Sequence, residues 1–279
     1  MLAASVYKDD MRRLILRFVL PAFAALIALP LLVSGASIAT AERKHWSTSR
    51  WDSVGLAPDP VSWKDAVIQV YAARVWGWRG ALAVHTWIVV KPSGAPGYTR
   101  YEVVGWGGSP VRVSQRVPDG FWAGNAPELL LDMRGPDAAA AIPLVIAAAK
   151  RYPGRDGYVM WPGPNSNSFV AWIAREVPEL GLHLPPTAIG KDWIGHDRIF
   201  APAPSGTGWQ FSLFGLAGLT AAATEGLELN LLGLTIGFDL LRPALKLPGI
   251  GRLGFPAVDP VKVPDAPPPV SAATGQSGG

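Results

Sequence analysis

The sequence predicts an α+β protein, an N-terminal transmembrane helix followed by a strand-rich domain that ends in a long β-hairpin. Three observations predict it. One run, Phe18 to Ala41, is apolar and carries no charge. The 279 residues include 31 Gly and 27 Pro, which favours turns and short strands over a helical bundle. Most of the remaining apolar segments are short or alternating, and only two stretches read as helices.

The apolar run satisfies the ~20 residues that a bilayer-spanning helix needs. Lys8, Arg12, Arg13 and Arg17 precede it, which places residues 1–17 in the cytoplasm and the remainder outside it, the topology of a single-pass bacterial inner-membrane protein. Ala39-Thr40-Ala41 also has the form of a signal-peptide cleavage site. The run exceeds the ~7–15 residues of a signal core, so the expectation is a retained signal anchor over 18–41.

Residues 42–62 are polar and turn-rich and read as a linker, with Trp46 and Trp51 placed for a membrane interface. The folded domain is expected over 63–255. Val67 to Tyr71 is β-rich, and Trp76 to Gly80 is a turn. Ala83 to Val90 is apolar on both faces, as a central strand is. Pro92 to Gly97 is a loop, and Tyr98 to Trp106 returns as the second strand of a hairpin. Val111 to Val117, Leu129 to Met133 and Tyr158 to Trp161 are further short strands. Asp137 to Lys150 is an Ala-rich helix bent at Pro143. After Pro162-Gly163-Pro164, Asn165 caps a helix running to about Val177. Trp209 to Leu219 and Leu227 to Leu241 read as two long strands, a hairpin over 209–241. In the second, the apolar positions pass from odd to even at Gly233, the signature of a β-bulge. Its apolar face must then be covered by the domain, the membrane or a partner. Residues 256–279 are Pro-, Ser- and Gly-rich and read as a disordered tail.

Composition narrows the chemistry. With no Cys there are no disulfides, thiolate zinc sites or cysteine nucleophiles. Net charge is +4 with no basic block, so nucleic acid is not an expected partner. There is no Walker loop and no dinucleotide fingerprint in a strand–helix context, and no cofactor is expected. Asp192, His196 and Asp197 lack metal-site spacing and read as a solvated loop, so no metal is expected. Arg74, Arg79, Arg100, Arg112 and Arg116 are either anion ligands or solvated surface. Trp76, Trp78 and Trp122 are either core or platforms for a sugar ring or lipid.

The most informative stretch is Asn165-Ser166-Asn167-Ser168 at the start of the second helix. Orphan N–H groups and the helix dipole there favour developing negative charge, an apt address for a nucleophilic Ser166. Local sequence weighs towards plain N-capping instead. His85, inside an apolar strand, is either a core imidazole bonded to backbone or a general base. With the loop centred near Gly94-Ala95, His85 pairs close to Val104, and Glu102 lies diagonally beside it as an orienting carboxylate or a solvated edge residue.

Several segments together resemble a bacterial family of unknown function, domain of unknown function 3750. They are Trp76-Gly-Trp-Arg-Gly, Ala83-Val-His-Thr-Trp-Ile, Tyr101-Glu-Val-Val-Gly-Trp106, Trp161-Pro-Gly-Pro-Asn-Ser-Asn, Leu184-Pro-Pro-Thr-Ala-Ile-Gly-Lys-Asp192 and Glu228-Leu-Asn-Leu-Leu-Gly233. The family implies no activity. More distantly, a strand His85 followed by Asn165-Ser166-Asn167-Ser168-Phe169 is similar to the permuted papain-like fold of lecithin–retinol acyltransferase and related cell-wall amidases. There, an Asn-Cys-x-x-Phe motif starts the nucleophile helix. Asn165 and Phe169 match, and Ser166 stands where that fold has cysteine.

Two functions follow as expectations. One is a serine-dependent acyl or amide hydrolase or acyltransferase acting on cell-wall peptide or lipid, with Ser166 as nucleophile, His85 as base and Glu102 as orienter. Asn165, Asn167, Trp76 and Arg79 would contact substrate. The other is a non-catalytic envelope module that binds membrane lipid, glycan or a protein partner. The two are separated by whether Ser166 and His85 converge.

Overall fold

A computed structural model describes residues 13–39 and 49–257. Residues 1–12 of the segment expected in the cytoplasm, residues 40–48 with most of the cleavage-site motif and Trp46, and the expected tail from 258 on lie outside the described residues. Helix α1 (Leu20–Ala39) follows a π-helical turn, Ile15–Val19, and carries Pro30 inside it. Its apolar span, Leu16–Ala36, has a mean hydropathy of 2.3, long and apolar enough to cross a membrane.

The first sheet is antiparallel with strand order β4-β3-β2-β1-β5. Its strands are β1 (Val67–Arg74), β2 (Val84–Lys91), β3 (Thr99–Val103), β4 (Val111–Ser114) and β5 (Glu128–Arg134). A 3-10 turn, Gly77–Ala81, joins β1 to β2. All eight residues of β2 are buried, as the unbroken apolar run implies for a strand covered on both faces. The β2–β3 register pairs Ile88 with Tyr101 and Val89 with Arg100, so the expected hairpin is present.

Two helices, α2 (Pro136–Lys150) and α3 (Ser166–Glu176), cover one face of this sheet. Ile68, Val70, Ile88 and Val103 pack there against Val145, Phe169 and Val170. On the opposite face Tyr71, Trp87 and Val89 form a second core with Trp122, closed by Trp51, Leu56 and Trp63. The segment expected to be a linker therefore differs from that expectation over its described part. Phe121 N–H bonds to the Asp52 carbonyl at 2.9 Å, and Trp51 meets Trp122 edge-on with ring centroids 5.8 Å apart. Trp51 is a wall of the core and not an interfacial anchor.

Tyr158 to Trp161 is irregular rather than a strand. Its side chains are partly exposed, and the Trp161–Pro162 and Gly163–Pro164 peptide bonds that follow are both cis.

The second sheet is a seven-stranded antiparallel meander, order β12-β11-β10-β9-β8-β7-β6. It comprises β6 (Phe200–Pro202), β7 (Gly208–Leu213), β8 (Ala217–Ala222), β9 (Gly226–Leu231), β10 (Leu234–Asp239), β11 (Ala244–Leu247) and β12 (Gly251–Gly254). Here the two long strands of the sequence reading are corrected to four short ones. Gly233 marks a tight turn and not a bulge. Leu232 and Gly233 have φ of 52° and 75°, Leu231 pairs with Leu234, and the phase change is the chain reversing. Phe214 and Gly215, with φ of 55° and 76°, turn β7 into β8 in the same way.

This sheet buries its polar face. Gln210, Ser212, Thr220, Glu228, Asn230 and Lys246 point inwards and are buried, while Trp209, Leu219, Leu227 and Phe238 point outwards and are exposed. Glu228 joins Lys191, from the loop after α3, to Lys246 on β11 in a fully buried ion cluster. Arg175 of α3 adds a 3.0 Å bond to the Pro202 carbonyl.

Candidate functional site

The site is a cavity of about 190 Å³ at the end of the first sheet, where β1 stops and β2 starts. Apolar side chains make most of its wall, among them Trp76, Trp106, Trp122, Tyr158, Met160 and Trp161. His85, Asn165, Ser166, Asn167 and Arg79 supply the polar groups.

Asn165 starts α3 for a local reason. Its Oδ1 accepts from the Asn167 N–H (2.9 Å) and the Ser168 N–H (3.2 Å), while Ser168 Oγ accepts from the Asn165 N–H (2.7 Å). This capping box satisfies two of the orphan donors of the first turn. Asn165 Nδ2 donates to the Met160 and Ile189 carbonyls, both at 3.1 Å. Asn167 Nδ2 donates to the Val84 (2.9 Å) and Ile189 (2.7 Å) carbonyls. Both asparagines reach the cavity wall, but their amides hold the loop Thr187–Ile189, strand β2 and helix α3 together. Ser166 is the member of the tract left over. Among the described residues nothing bonds its hydroxyl or its backbone N–H, and it is 5% exposed.

His85 and Glu102 converge as the hairpin register requires. His85 Nε2 lies 3.0 Å from Glu102 Oε2, and Arg100 donates to the same oxygen at 2.8 Å. Both side chains of the His85–Glu102 pair are buried. Burial alone would raise the Glu102 carboxyl, but the bonds from His85 and Arg100 outweigh it and hold it at about 2. Burial lowers the pKa of His85 and overrides the attraction of Glu102, so the imidazole is neutral. With Glu102 ionised, the ring proton sits on Nε2, and Nδ1 is left as a lone-pair acceptor. The ring lies flat on Trp122, with centroids 3.6 Å apart. Arg100, one of the candidate anion ligands, is thus an internal clamp. Its spacing of two from Glu102 on one strand face is the signal that could have identified it.

The expectation that His85 faces the nucleophile helix is corrected. Thr86 occupies that position. Its Oγ1 lies 3.0 Å from Asn167 Oδ1 and 3.2 Å from the Ser166 carbonyl. Successive side chains of a strand alternate, so His85 points to the other face, towards Trp87 and Trp122. His85 and Ser166 reach the same cavity from opposite sides of the end of β2, with no hydrogen bond between them. Trp76 and Arg79 both line the cavity, and Arg79 Nη1 lies 3.5 Å from the Met160 sulfur. Among the described residues no cluster of His, Asp and Glu could hold a metal ion.

The chain is thus an α+β protein with an N-terminal apolar helix and a cavity at the end of its first sheet. Residues 65–193 match the family model described as "Protein of unknown function (DUF3750)". The match takes in the first sheet, both covering helices, Glu102, His85 and Ser166, and stops before the second sheet. No curated protein and no solved structure matches the chain.

Proposed function

We propose that the cavity binds an amphiphile, with an acyl-type chain among the tryptophans and a polar end near His85 and Ser166. One observation carries this reading: a mostly apolar, aromatic-walled cavity with a few polar residues in its lining, His85 and Ser166 among them. Binding sites with mostly apolar walls and a few placed polar groups are the common form for such ligands. The apolar helix α1 keeps the domain beside a membrane, and the basic residues before it favour a domain outside the cytoplasm. A cavity-filling change, Ala83→Phe, is the test. It should weaken binding of a fluorescent medium-chain fatty acid by tenfold or more with the fold intact, and unchanged binding would place the ligand elsewhere.

A second reading is serine-dependent acyl or amide transfer. It is favoured by the free Ser166 hydroxyl and N–H at a helix start and by a neutral His85 anchored to an ionised Glu102. The order of His85 before Ser166 in the chain, as in permuted papain-like acyltransferases, belongs to this reading. The opposed faces of His85 and Thr86 weigh against it, because a base must come within ~2.6–3.2 Å of the proton it takes, directly or through one water. Fluorophosphonate modification of Ser166 that disappears in His85→Ala would decide for this second reading.

A further inference from the structure

The second sheet is polar on its buried side and apolar on its open side, the reverse of a sheet that covers a water-soluble core. Cross-strand pairing puts Trp209, Ala221, Leu227, Phe238, Leu245 and Leu253 in one outward row. Phe200, Phe211, Leu219, Leu229 and Ile236 form the row beside it. Neither row contains a charged residue. Trp209 is 68% exposed, Phe200 61%, Leu219 52% and Leu227 51%. Side chains of this size expose on the order of several hundred Å² together, more than a monomer ordinarily leaves to water. The inward face cannot turn over to relieve this, because Lys191, Glu228 and Lys246 pin it to the rest of the protein.

The occupant of the open face is indicated by helix α1. Its C-terminal half packs against the 3-10 turn Gly77–Ala81 and against β11. At Gly249, just beyond β11, an added Cβ would lie 2.6 Å from Ser34 Oγ of α1. The outward side chains that are buried, Ile236 and Leu247, lie on β10 and β11, at the side of the sheet where α1 abuts. Elsewhere Leu26, Leu29, Leu32 and Val33 of α1 are exposed. We propose that the outward face of strands β6–β12 lies against the acyl chains at the surface of the bilayer that α1 enters. The bilayer around α1 then continues onto the sheet without a polar gap. Backbone groups inside the meander are already paired, so the face enters an apolar medium without orphan donors. This inference does not depend on what the cavity binds.

The chain has no cysteine, so single labels can be placed without background. The full-length protein is reconstituted in vesicles of phosphatidylethanolamine and phosphatidylglycerol. An environment-sensitive fluorophore is attached at Leu227→Cys, at Leu219→Cys, or at Arg151→Cys, an exposed position at the end of α2 outside the second sheet. The Leu227 and Leu219 probes should emit to the blue of the Arg151 probe and be quenched several-fold more by acyl-chain nitroxide lipids. Two outcomes would overturn the proposal. In one, the Leu227 and Leu219 probes are quenched by aqueous iodide as readily as the Arg151 probe. In the other, they are shielded from both quenchers and Leu227→Cys cross-links between copies, which assigns the face to a second copy of the chain. Unchanged circular dichroism of each labelled variant confirms that the sheet is folded.

Discussion

His85 and Ser166 line one cavity from opposite faces of strand β2, and Thr86, the residue after His85, donates to the Ser166 carbonyl at 3.2 Å. This relationship separates two roles that the sequence places together. Thr86 is a structural link between sheet and helix, and His85 belongs to a pair with Glu102 on the far side.

Thr86→Val should therefore loosen the start of α3 and leave the His85–Glu102 pair untouched. The change strips the donor from Asn167 Oδ1 and the Ser166 carbonyl in a buried place, a loss of about 1–3 kcal/mol. Chemical denaturation should register that loss. The imidazole proton signals of His85 should not move; a shift in them would put Thr86 and His85 in one network.

Acid stability should fall in two ranges. His183, in the loop after α3, has its Nε2 3.3 Å from Lys246 Nζ; burial, and then that charge, lower it to about 3, against about 6.5 in an unfolded chain. A group depressed on folding contributes stability that is complete above its unfolded pKa and lost as pH falls towards its folded one. His183 thus costs stability from about pH 6.5 down to about 3. Glu102, held at about 2, adds its loss below about pH 4.3. In His183→Gln the urea midpoint should decline less steeply between pH 6.5 and 4.5. Equal slopes in the two proteins would show that His183 does not titrate in this way.

Glu228 holds two buried ammonium groups, Lys191 and Lys246. Glu228→Gln removes the carboxylate that pairs with Lys246 and leaves Lys191 only Asp192, 3.7 Å away, and breaking a buried pair from one side typically costs about 3–5 kcal/mol. The second sheet should become the part of the chain most open to limited proteolysis. If melting and cleavage are unchanged, the cluster does not fasten the sheet.

Much of the first sheet was legible from sequence. The β2–β3 hairpin follows from two apolar runs around Pro92–Gly97, and Glu102 falls beside His85 because that loop sets the register. The Asn165 cap was equally plain. Which way His85 points was not legible. Every residue of β2 is buried, so no alternation of apolar and polar residues distinguishes the two faces. The meander hid for another reason. Phe214-Gly215 and Leu232-Gly233 turn the chain within apolar segments, without the polar residues that usually announce a turn. Its inside-out faces then reversed the usual inference that alternating apolar residues point to the core.

The cavity reading is tested most directly by a fatty-acyl probe carrying a diazirine, activated by light on the full-length protein in vesicles and mapped by peptide mass. The account predicts insertion into the cavity wall, within the stretches Trp76 to His85 and Tyr158 to Trp161 and at Trp106, with loss of those adducts in Ala83→Phe. Adducts confined to α1 and the outer sheet face, with none in the cavity wall, would contradict it.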